Sequence, residues 1–476
     1  MRIKRFTMLC IVLSMCLGCD ELAADTEDHV QTSTRTHPWA RVANEAEIAQ
    51  SIAELRDLVD SGIAAFHGGP GLLRNYEFVP APMLQSSENQ RILILEGSIG
   101  MPDSALGRYK HRVLGIHVFP DEHTFQYVEQ FPVKRQSVLL YLVGDYLAKL
   151  PYHVPVVSLS SIYESLKDSN NLQIETIRGI SSGGLSGHSV TIFEILADLN
   201  PEAQFVIATS PDNLVYAKDI FCNFYEENIF AQVEAINHTA AQQVVGLIKK
   251  YNINYINISE AKTYDKFVWQ YQNACKVRDD YKPLEAIPAA KIARYLALRP
   301  HFLKNITEAC PTVTIFKALP NNECEANFGT CDPGLEQETL MPVAGLFRIG
   351  YFCTPHFYSA QRTGNALHFL PRAQQLASNG ADMFINGGFE EIGDYDEIPA
   401  LPEEALFDRR MGLSVGHLRA MAASWATPVA LSFANRLHLD GKWNSPEELK
   451  ALLKPENMPR LHDPIRHKIL ELYPNK

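Results

Sequence analysis

The sequence predicts an α/β protein, a three-layer sandwich with a mostly parallel central sheet and helices on both of its faces. Short, continuous apolar runs typical of strands that are buried on both faces occur at Arg91–Leu95, Ala203–Ala208 and Thr312–Ala318. Helical patterns separate these runs, as at Val190–Leu199, where Asn200-Pro201 marks the end of the helix. Because strands and helices alternate along the chain, parallel pairing with crossover helices is the expected arrangement.

The composition is that of a globular protein: of 476 residues, 46% are hydrophobic and 21% are charged. Lys and Arg number 43 against 55 Asp and Glu, which gives a formal net charge of −12. A nucleic-acid partner requires a basic surface that displaces phosphate counterions, so this acidic balance argues against one. The length permits two or three average domains, or one large α/β domain with extensions.

The first 24 residues have the pattern of an export signal. Two arginines and a lysine occur among the first five residues, and Phe6–Gly18 is an apolar run too short for a membrane span. Two endings fit the sequence: cleavage before Asp25, after the small residues Ala23-Ala24, or a bacterial lipobox that makes Cys19 a lipid anchor. Either ending predicts a protein that is secreted or held in the cell envelope, in the periplasm or at the outer surface. The later sequence has no apolar run of 18 residues, so no transmembrane span is expected.

Residues 25–88 are predicted to form a helical extension ahead of the main domain. Asn44 followed by Glu47 is the signature of a capped helix start, and apolar residues then recur at helical spacing up to Ile63. The extension is either a pro-segment or a permanent packing arm. The main domain is expected at 89–455, followed by a C-terminal tail at 456–476.

Six cysteines follow the signal, and an even number in an exported chain permits disulfides. Cys324 and Cys331 bracket a short loop that contains glycine, and they are the favoured local pair. The others form disulfides or remain buried free thiols, since six cysteines allow 15 connectivities. The six are Cys222, Cys275, Cys310, Cys324, Cys331 and Cys353.

Two residues with catalytic potential lie at the ends of predicted elements. Glu96 ends the strand that begins at Arg91, and catalytic groups of open α/β sheets lie at the carboxyl ends of strands. His188 enters a helix after Gly187, where the positive helix end disfavours a protonated imidazole and suits a general base. Each residue has a plain alternative when taken alone: a structural or merely exposed acid, and a histidine that caps its helix.

Two more residues occupy comparable positions. Asn322 follows the strand that ends at Ala318, and its amide can donate a hydrogen bond to a developing oxyanion, although loop asparagines are usually turn residues. Ser424 lies at the start of a helix whose apolar residues repeat every four positions from Trp425. Free backbone N–H groups at such a helix start can hold an oxyanion, and the alternative is an ordinary N-cap serine. Pro428 is expected in the first turn, where its missing N–H costs nothing.

These four stretches, in this order, resemble the subtilisin-like serine proteases (subtilases). The pattern is an acid after a strand, a histidine that opens a helix, an asparagine after a strand and Ser424-Trp425-Ala426-Thr427-Pro428 on a late helix. Residues 444–453 resemble the small helix that commonly follows the serine helix. The resemblance is to a divergent bacterial member and covers 89–455. It implies a subtilisin-like fold and an exported serine endopeptidase that acts on protein or peptide substrates.

Carried over position by position, the resemblance makes Ser424 the nucleophile, His188 its general base and Glu96 the acid that orients the imidazole. Asn322 and the Ser424 N–H would form the oxyanion hole. The chain departs from the family at the acid, where subtilases have Asp, and around each of the other residues. An extra methylene displaces the carboxylate by about a bond length, which can cost roughly 10²-fold in rate. We expect weak or specialised activity, and the alternative is a catalytically inactive pseudoprotease that serves as a binding protein.

A second serine motif favours another class of enzyme. Gly179-Ile180-Ser181-Ser182-Gly183 matches the nucleophile elbow of α/β-hydrolases, with Asp212 and either His356 or His417 as partners for Ser181. In those enzymes the helix begins directly on the elbow, whereas here it begins several residues later. An esterase of this kind would also leave the Ser424 motif unexplained.

No cofactor is expected. The acidic run from Glu390 to Glu397 could bind a structural calcium ion, as loops of many subtilases do. A solvated acidic loop is the favoured interpretation of that run.

Overall fold

The protein is described by a computed structural model in segments between Ala43 and Leu470. The segments are 43–66, 74–84, 90–97, 104–119, 124–133, 144–152, 187–200, 202–211, 218–259, 264–298, 301–318, 345–355, 382–390, 423–452 and 469–470. The predicted export signal, the predicted Cys324–Cys331 disulfide and the acidic run after Glu390 lie outside these segments.

The strands of the described residues form one large sheet and one two-stranded ribbon. They are β1 Arg74–Glu77, β2 Arg91–Glu96, β3 Val113–Val118, β4 Gln126–Tyr127, β5 Gln130–Val133, β6 Gln204–Thr209, β7 Tyr255–Ile258, β8 Thr314–Ala318, β9 Leu346–Pro355, β10 Met383–Glu390 and β11 Ile469–Leu470. The large sheet has the order β11-β10-β9-β8-β7-β2-β6-β3-β4, and β1 pairs with β5 in the ribbon. Within the described part of the large sheet only β4 is antiparallel, so the predicted mostly parallel sheet is confirmed.

Helices precede, connect and follow these strands. They are α1 Glu45–Phe66, α2 Ser104–Tyr109, α3 Gly187–Leu199, α4 Lys218–Phe221, α5 Glu227–Tyr251, α6 Tyr264–Cys275, α7 Ala289–Leu298, α8 His301–Ala309, α9 Ala423–Leu439 and α10 Pro446–Leu452, with 3₁₀ turns at Lys110–Arg112 and Leu284–Ala286. No helix in the described segments is long and apolar enough to cross a membrane.

The three strands expected from apolar runs are confirmed as β2, β6 and β8, with ends that differ by one or two residues. β2 lies between β6 and β7, and Ile92–Leu95 has no solvent exposure because strands pair with both of its edges and helices cover both of its faces. Continuous apolar runs therefore mark the middle of the sheet here, as parallel pairing requires.

The two faces of the sheet carry different helices. Leu93 and Leu95 of β2 pack in one cluster with apolar residues of α5 and α8. On the opposite face, α3 packs on β6 through Phe193 and Phe205, whose ring centroids lie 5.4 Å apart. α9 covers the same face as α3, since the two helices contact each other and α9 also packs on β7 to β10. Successive strand residues face opposite sides, so the residues that alternate with Leu93 and Leu95 face α3 and α9.

The helix predicted in the N-terminal extension is confirmed as α1. The Asn44 Oδ1 atom accepts from the Glu47 N–H at 3.0 Å, and a Glu47 carboxylate oxygen accepts from the Asn44 N–H at 2.9 Å. These reciprocal bonds satisfy two N–H groups that a helix start otherwise leaves without acceptors. α1 is tied to residues beyond β5, because the Tyr146 hydroxyl donates to the Glu54 carboxylate at 2.8 Å.

One disulfide lies in the helical region that follows β6. Cys222 and Cys275 are bonded at an S–S distance of 2.01 Å and enclose a 53-residue separation that includes α5. They lie in an aromatic cluster formed by Phe221, Phe224 and neighbouring rings of α6 and α7. Cys310 is a buried free thiol.

Candidate active site

α3 brings His188 to the carboxyl edge of the sheet. Soon after α3 ends, β6 begins at Gln204, which is paired with Arg91, the first residue of β2. The last turn of α3 therefore lies at the amino edge of the sheet. A thirteen-residue helix rises about 20 Å, the length of a six-residue strand, so the two elements span the same distance. His188, the second residue of α3, consequently lies at the carboxyl edge.

α9 brings Ser424 to the same edge. Near the end of α9, His438 Nδ1 forms a short hydrogen bond with the Tyr255 hydroxyl. Tyr255 is the first residue of β7, so the end of α9 lies at the amino edge. Ser424 is the second residue of α9 and precedes His438 by fourteen residues, or about 21 Å of helix. It therefore lies at the opposite, carboxyl edge.

A direct hydrogen bond sets the relative height of the two helices. Asn435 of α9 donates from Nδ2 to Oδ1 of Asn200, the residue that follows α3, at 2.8 Å. Asn435 comes eleven residues after Ser424, and Asn200 comes twelve residues after His188. α3 and α9 run in the same direction, so Ser424 and His188 lie at similar heights, within about one helical turn of each other.

Glu96 is the last residue of β2 and its side chain is 1% exposed. It alternates with Leu95, so it faces the side of the sheet that carries α3 and α9. Glu96 Oε1 accepts a hydrogen bond of 3.1 Å from the backbone N–H of Ser259, which follows β7. The strand-end acid is thus a buried group that the next strand holds in place.

The buried side-chain amide of Asn257 hydrogen bonds with Ser259. Asn257 of β7 has no solvent exposure, and its Nδ2 donates to Ser259 Oγ at 2.8 Å. β2 pairs with β7 in parallel, which brings Asn257, Ser259 and Glu96 to neighbouring positions at one edge. Sequence analysis did not select Asn257 or Ser259. Their position at the carboxyl end of an apolar strand could have identified them, because the same criterion identified Glu96.

The start of α9 differs from the expectation in one respect. The helix begins at Ala423, so Pro428 is its sixth residue and lies in the second turn, not the first. In a regular helix the N–H at this position donates to the carbonyl of Ser424, and Pro428 has no N–H. Ser424 is 8% exposed and lies inside the helix, which makes the N-cap interpretation wrong.

The predicted apolar stripe of α9 is only partly correct. Val429 is buried, but Phe433 and Leu437 are only partly buried. The residues without solvent exposure are Thr427, Ala430, Leu431 and Ala434. α9 packs on the sheet and on α3 at once, so it is buried on two sides, and three of these four unexposed residues are small.

Three of the four predicted site residues, Glu96, His188 and Ser424, lie at one edge and on one face of the sheet. Asn322 lies outside the described residues, as do the alternative nucleophile Ser181 and its partners Asp212, His356 and His417. In the part of the chain that the structure describes, no group of His, Cys, Asp and Glu side chains could hold a metal ion.

Comparison of the chain with protein-family models, curated proteins and solved structures gave no match. Function is therefore inferred from the residues themselves and from their placement.

Proposed function

We propose that the protein is a serine endopeptidase of the subtilase type, with Ser424 as nucleophile, His188 as general base and Glu96 as the orienting acid. The single observation that supports this most strongly is that the three residues share one edge and one face of the sheet. They are 92 and 236 residues apart in sequence, yet a strand end and two parallel helix starts bring them to one edge of the sheet.

Each position suits its role. A serine hydroxyl is a weak nucleophile until a neighbouring base removes its proton. The first turn of α9 leaves backbone N–H groups without helical acceptors, and these can stabilise the oxyanion of a tetrahedral intermediate. The start of α3 is a positive helix end, which favours the neutral imidazole that a general base needs.

The burial of Glu96 also fits the proposal. Removing a carboxylate from water is unfavourable unless hydrogen bonds and charges compensate it. The Ser259 N–H provides one such bond, and an imidazolium that forms during catalysis would provide an opposite charge. A water-excluded site strengthens that electrostatic interaction. A carboxylate that was merely exposed at the strand end would remain in water, whereas Glu96 is 1% exposed.

The substrate class follows from the reaction and from the predicted export: protein or peptide chains outside the cytoplasm. Asn322, after β8, remains the proposed second donor to the oxyanion. β8 is separated from β2 by β7 alone, so the carboxyl end of β8 at Ala318 lies near the proposed site.

A fluorophosphonate probe tests the proposal on the purified exported protein. The probe forms a covalent bond to an activated serine, and peptide mapping then identifies the labelled residue. We expect the label on Ser424, together with cleavage of unfolded polypeptide substrates. Ser424→Ala should lose both labelling and cleavage, and it should stay folded because Ser424 is not the N-cap of α9.

Ser181→Ala is the matched control, since Ser181 is the nucleophile of the competing esterase interpretation. It should label at Ser424 at the wild-type rate. A label at Ser181 would overturn the proposal in favour of an α/β-hydrolase. A folded wild-type protein that labels at no serine and cleaves no peptide would be a pseudoprotease that binds its partners.

A further inference from the structure

A buried polar cluster joins α3 to α9 at the ends remote from the candidate site. We call Asn200, Ser432 and Asn435 the interhelical clamp. Asn200 Nδ2 donates to Ser432 Oγ at 2.7 Å, and Asn435 Nδ2 donates to Asn200 Oδ1 at 2.8 Å. Ser432 Oγ in turn donates to the Pro428 carbonyl at 2.7 Å. All three side chains are more than nine-tenths buried.

Arg112 fixes the α3 side of the clamp to the sheet. Its guanidinium donates to the Ala197 carbonyl and to the Asn200 carbonyl, each at 2.8 Å. These carbonyls belong to the last turn of α3 and its end, where a helix leaves carbonyl groups without partners. Arg112 is the last residue before β3, so the C-terminal end of α3 is tied to the strand framework.

The clamp specifies one register of α3 against α9. Apolar helix faces of similar shape can pack in neighbouring registers, whereas buried amides lose their hydrogen bonds in any register but one. A slip of a single residue moves a helix by 1.5 Å and rotates its side chains by about 100°. A displacement of about 1 Å in an active site can cost roughly 10²-fold in rate. The clamp therefore controls a distance to which catalysis is sensitive.

We infer that the interhelical clamp positions His188 relative to Ser424 by locking α3 and α9 in register. This inference rests on the proposed function, because it assigns Asn200, Ser432 and Asn435 as positioning residues of the proposed site. None of the three touches the substrate. They lie about 12 to 18 Å along the helices from the residues that they position.

Asn435→Ala tests the inference in the full-length exported protein. The variant removes the donor to Asn200 and leaves the rest of α9 in place. Fluorophosphonate labelling of Ser424 should slow by at least about tenfold, because the base no longer lies at its working distance from the nucleophile. For a peptide substrate, kcat should fall by a similar factor while KM changes less than about twofold.

Trp443→Phe is the matched control for lost stability. Trp443 Nε1 donates to the Ala434 carbonyl of α9 at 2.8 Å, so the variant removes one buried hydrogen bond to the same helix and none to α3. Thermal unfolding midpoints of the two variants should fall by comparable amounts, but Trp443→Phe should label near the wild-type rate. The Asn200→Ala/Asn435→Ala double variant should label no more slowly than Asn200→Ala alone, because Asn200→Ala already breaks the bond between Asn435 and Asn200.

The outcomes separate the two proposals. If wild type labels at Ser424 and both Asn435→Ala and the double variant, which also lacks the Asn200–Ser432 bond, label as fast as Trp443→Phe, the clamp does not position His188. If wild type does not label at Ser424 at all, the proposed function fails, and with it the premise of the clamp.

Discussion

At the scale of single residues, the proposed site would give Glu96 two separable functions: a negative charge that orients His188, and the hydrogen bond that it accepts from Ser259. Glu96→Gln removes the charge and keeps an oxygen in reach of the Ser259 N–H. We expect an unchanged fold and a loss of roughly 10²- to 10⁴-fold in kcat, because a neutral amide neither stabilises the imidazolium nor selects its tautomer. Steady-state peptide hydrolysis measures the loss, and unaltered hydrolysis would show that the carboxylate does not orient His188.

Glu96→Asp separates the same two functions in the opposite way. From the sequence alone, this change should keep or raise activity, because Asp is the residue of the subtilases. The side chain is one methylene shorter, so the buried Ser259 N–H loses its acceptor. We therefore expect the variant to keep catalytic activity and to lose about 1–3 kcal/mol of stability, as measured by urea unfolding. A variant as stable as wild type would contradict the anchoring function of Glu96.

His117, on β3, should make the stability of the protein depend on pH. It is buried, its Nε2 atom hydrogen bonds with the Tyr251 hydroxyl at 2.9 Å, and Tyr127 and Tyr251 rings pack against it. Burial, helped by the charge of Lys250, lowers the pKa of His117 from 6.5 to about 4. Between these pKa values the unfolded chain binds a proton that the native protein does not bind, so acid favours unfolding.

The free energy of unfolding should therefore fall as the pH decreases from about 7 to about 4, with a contribution from His117 on the order of 3 kcal/mol. Urea unfolding at several pH values measures this dependence. His117→Gln keeps a hydrogen-bonding group beside Tyr251 but cannot titrate, so its curve should be flatter over that range. The remaining slope includes His438, whose pKa burial also lowers. Parallel curves for the two proteins would exclude His117 as the source.

At the scale of secondary-structure elements, the sequence predicts best where a single physical rule acts. Short apolar runs located β2, β6 and β8, because strands covered on both faces must be apolar throughout. The Asn44–Glu47 pair located the start of α1, because a capping box is a local arrangement. The apolar stripe of α9 was less informative, because that helix is buried on two sides and its small residues, such as Ala430 and Ala434, do not stand out in a hydropathy pattern.

The interhelical clamp could not be predicted from the sequence for a related reason. Asn435 precedes Arg436, which is exposed, and polar residues late in a helix usually face solvent. Only its partner Asn200, 235 residues earlier in the chain, explains why Asn435 is 1% exposed. Pairs of this kind depend on which helices become neighbours, and hydropathy patterns contain no such information.

At the scale of the whole molecule, the parallel sheet is what connects the candidate site residues. Strand order places β2 in the middle, and α3 and α9 each run from the carboxyl edge to the amino edge. The sequence predicted that Glu96 ends a strand and that His188 and Ser424 start helices. In a parallel α/β fold, strand ends of this kind and helix starts of this kind lie at the same edge of the sheet. The support from Ser259 and Asn257 depends on β7 being the neighbour of β2, which only the topology reveals.

The N-terminal extension meets the sheet at the other edge. Residues 78–84 lie along the strand starts: the Ala81 N–H donates to the Val113 carbonyl at 2.8 Å. The side chain of Gln204 accepts from the Leu84 N–H at 3.0 Å and donates to the Pro82 carbonyl at 2.9 Å. Val113 and Gln204 begin β3 and β6, so these contacts lie at the amino edge, opposite Glu96. In this position residues 78–84 stabilise the sheet without obstructing the carboxyl edge.

We therefore expect the exported protein to retain the extension. Its intact mass should place the N-terminus at Cys19 or Asp25, and a mature form that starts near residue 89 would identify the extension as a pro-segment. Deletion of residues 25–88 should lower the thermal unfolding midpoint, because it removes β1 from β5 and leaves the buried Gln204 side chain without its partners. Gln204→Ala in the full-length protein is the matched point variant and should shift the midpoint in the same direction by a smaller amount. A deletion variant that unfolds at the wild-type temperature would mean that the extension contributes nothing to the folded domain.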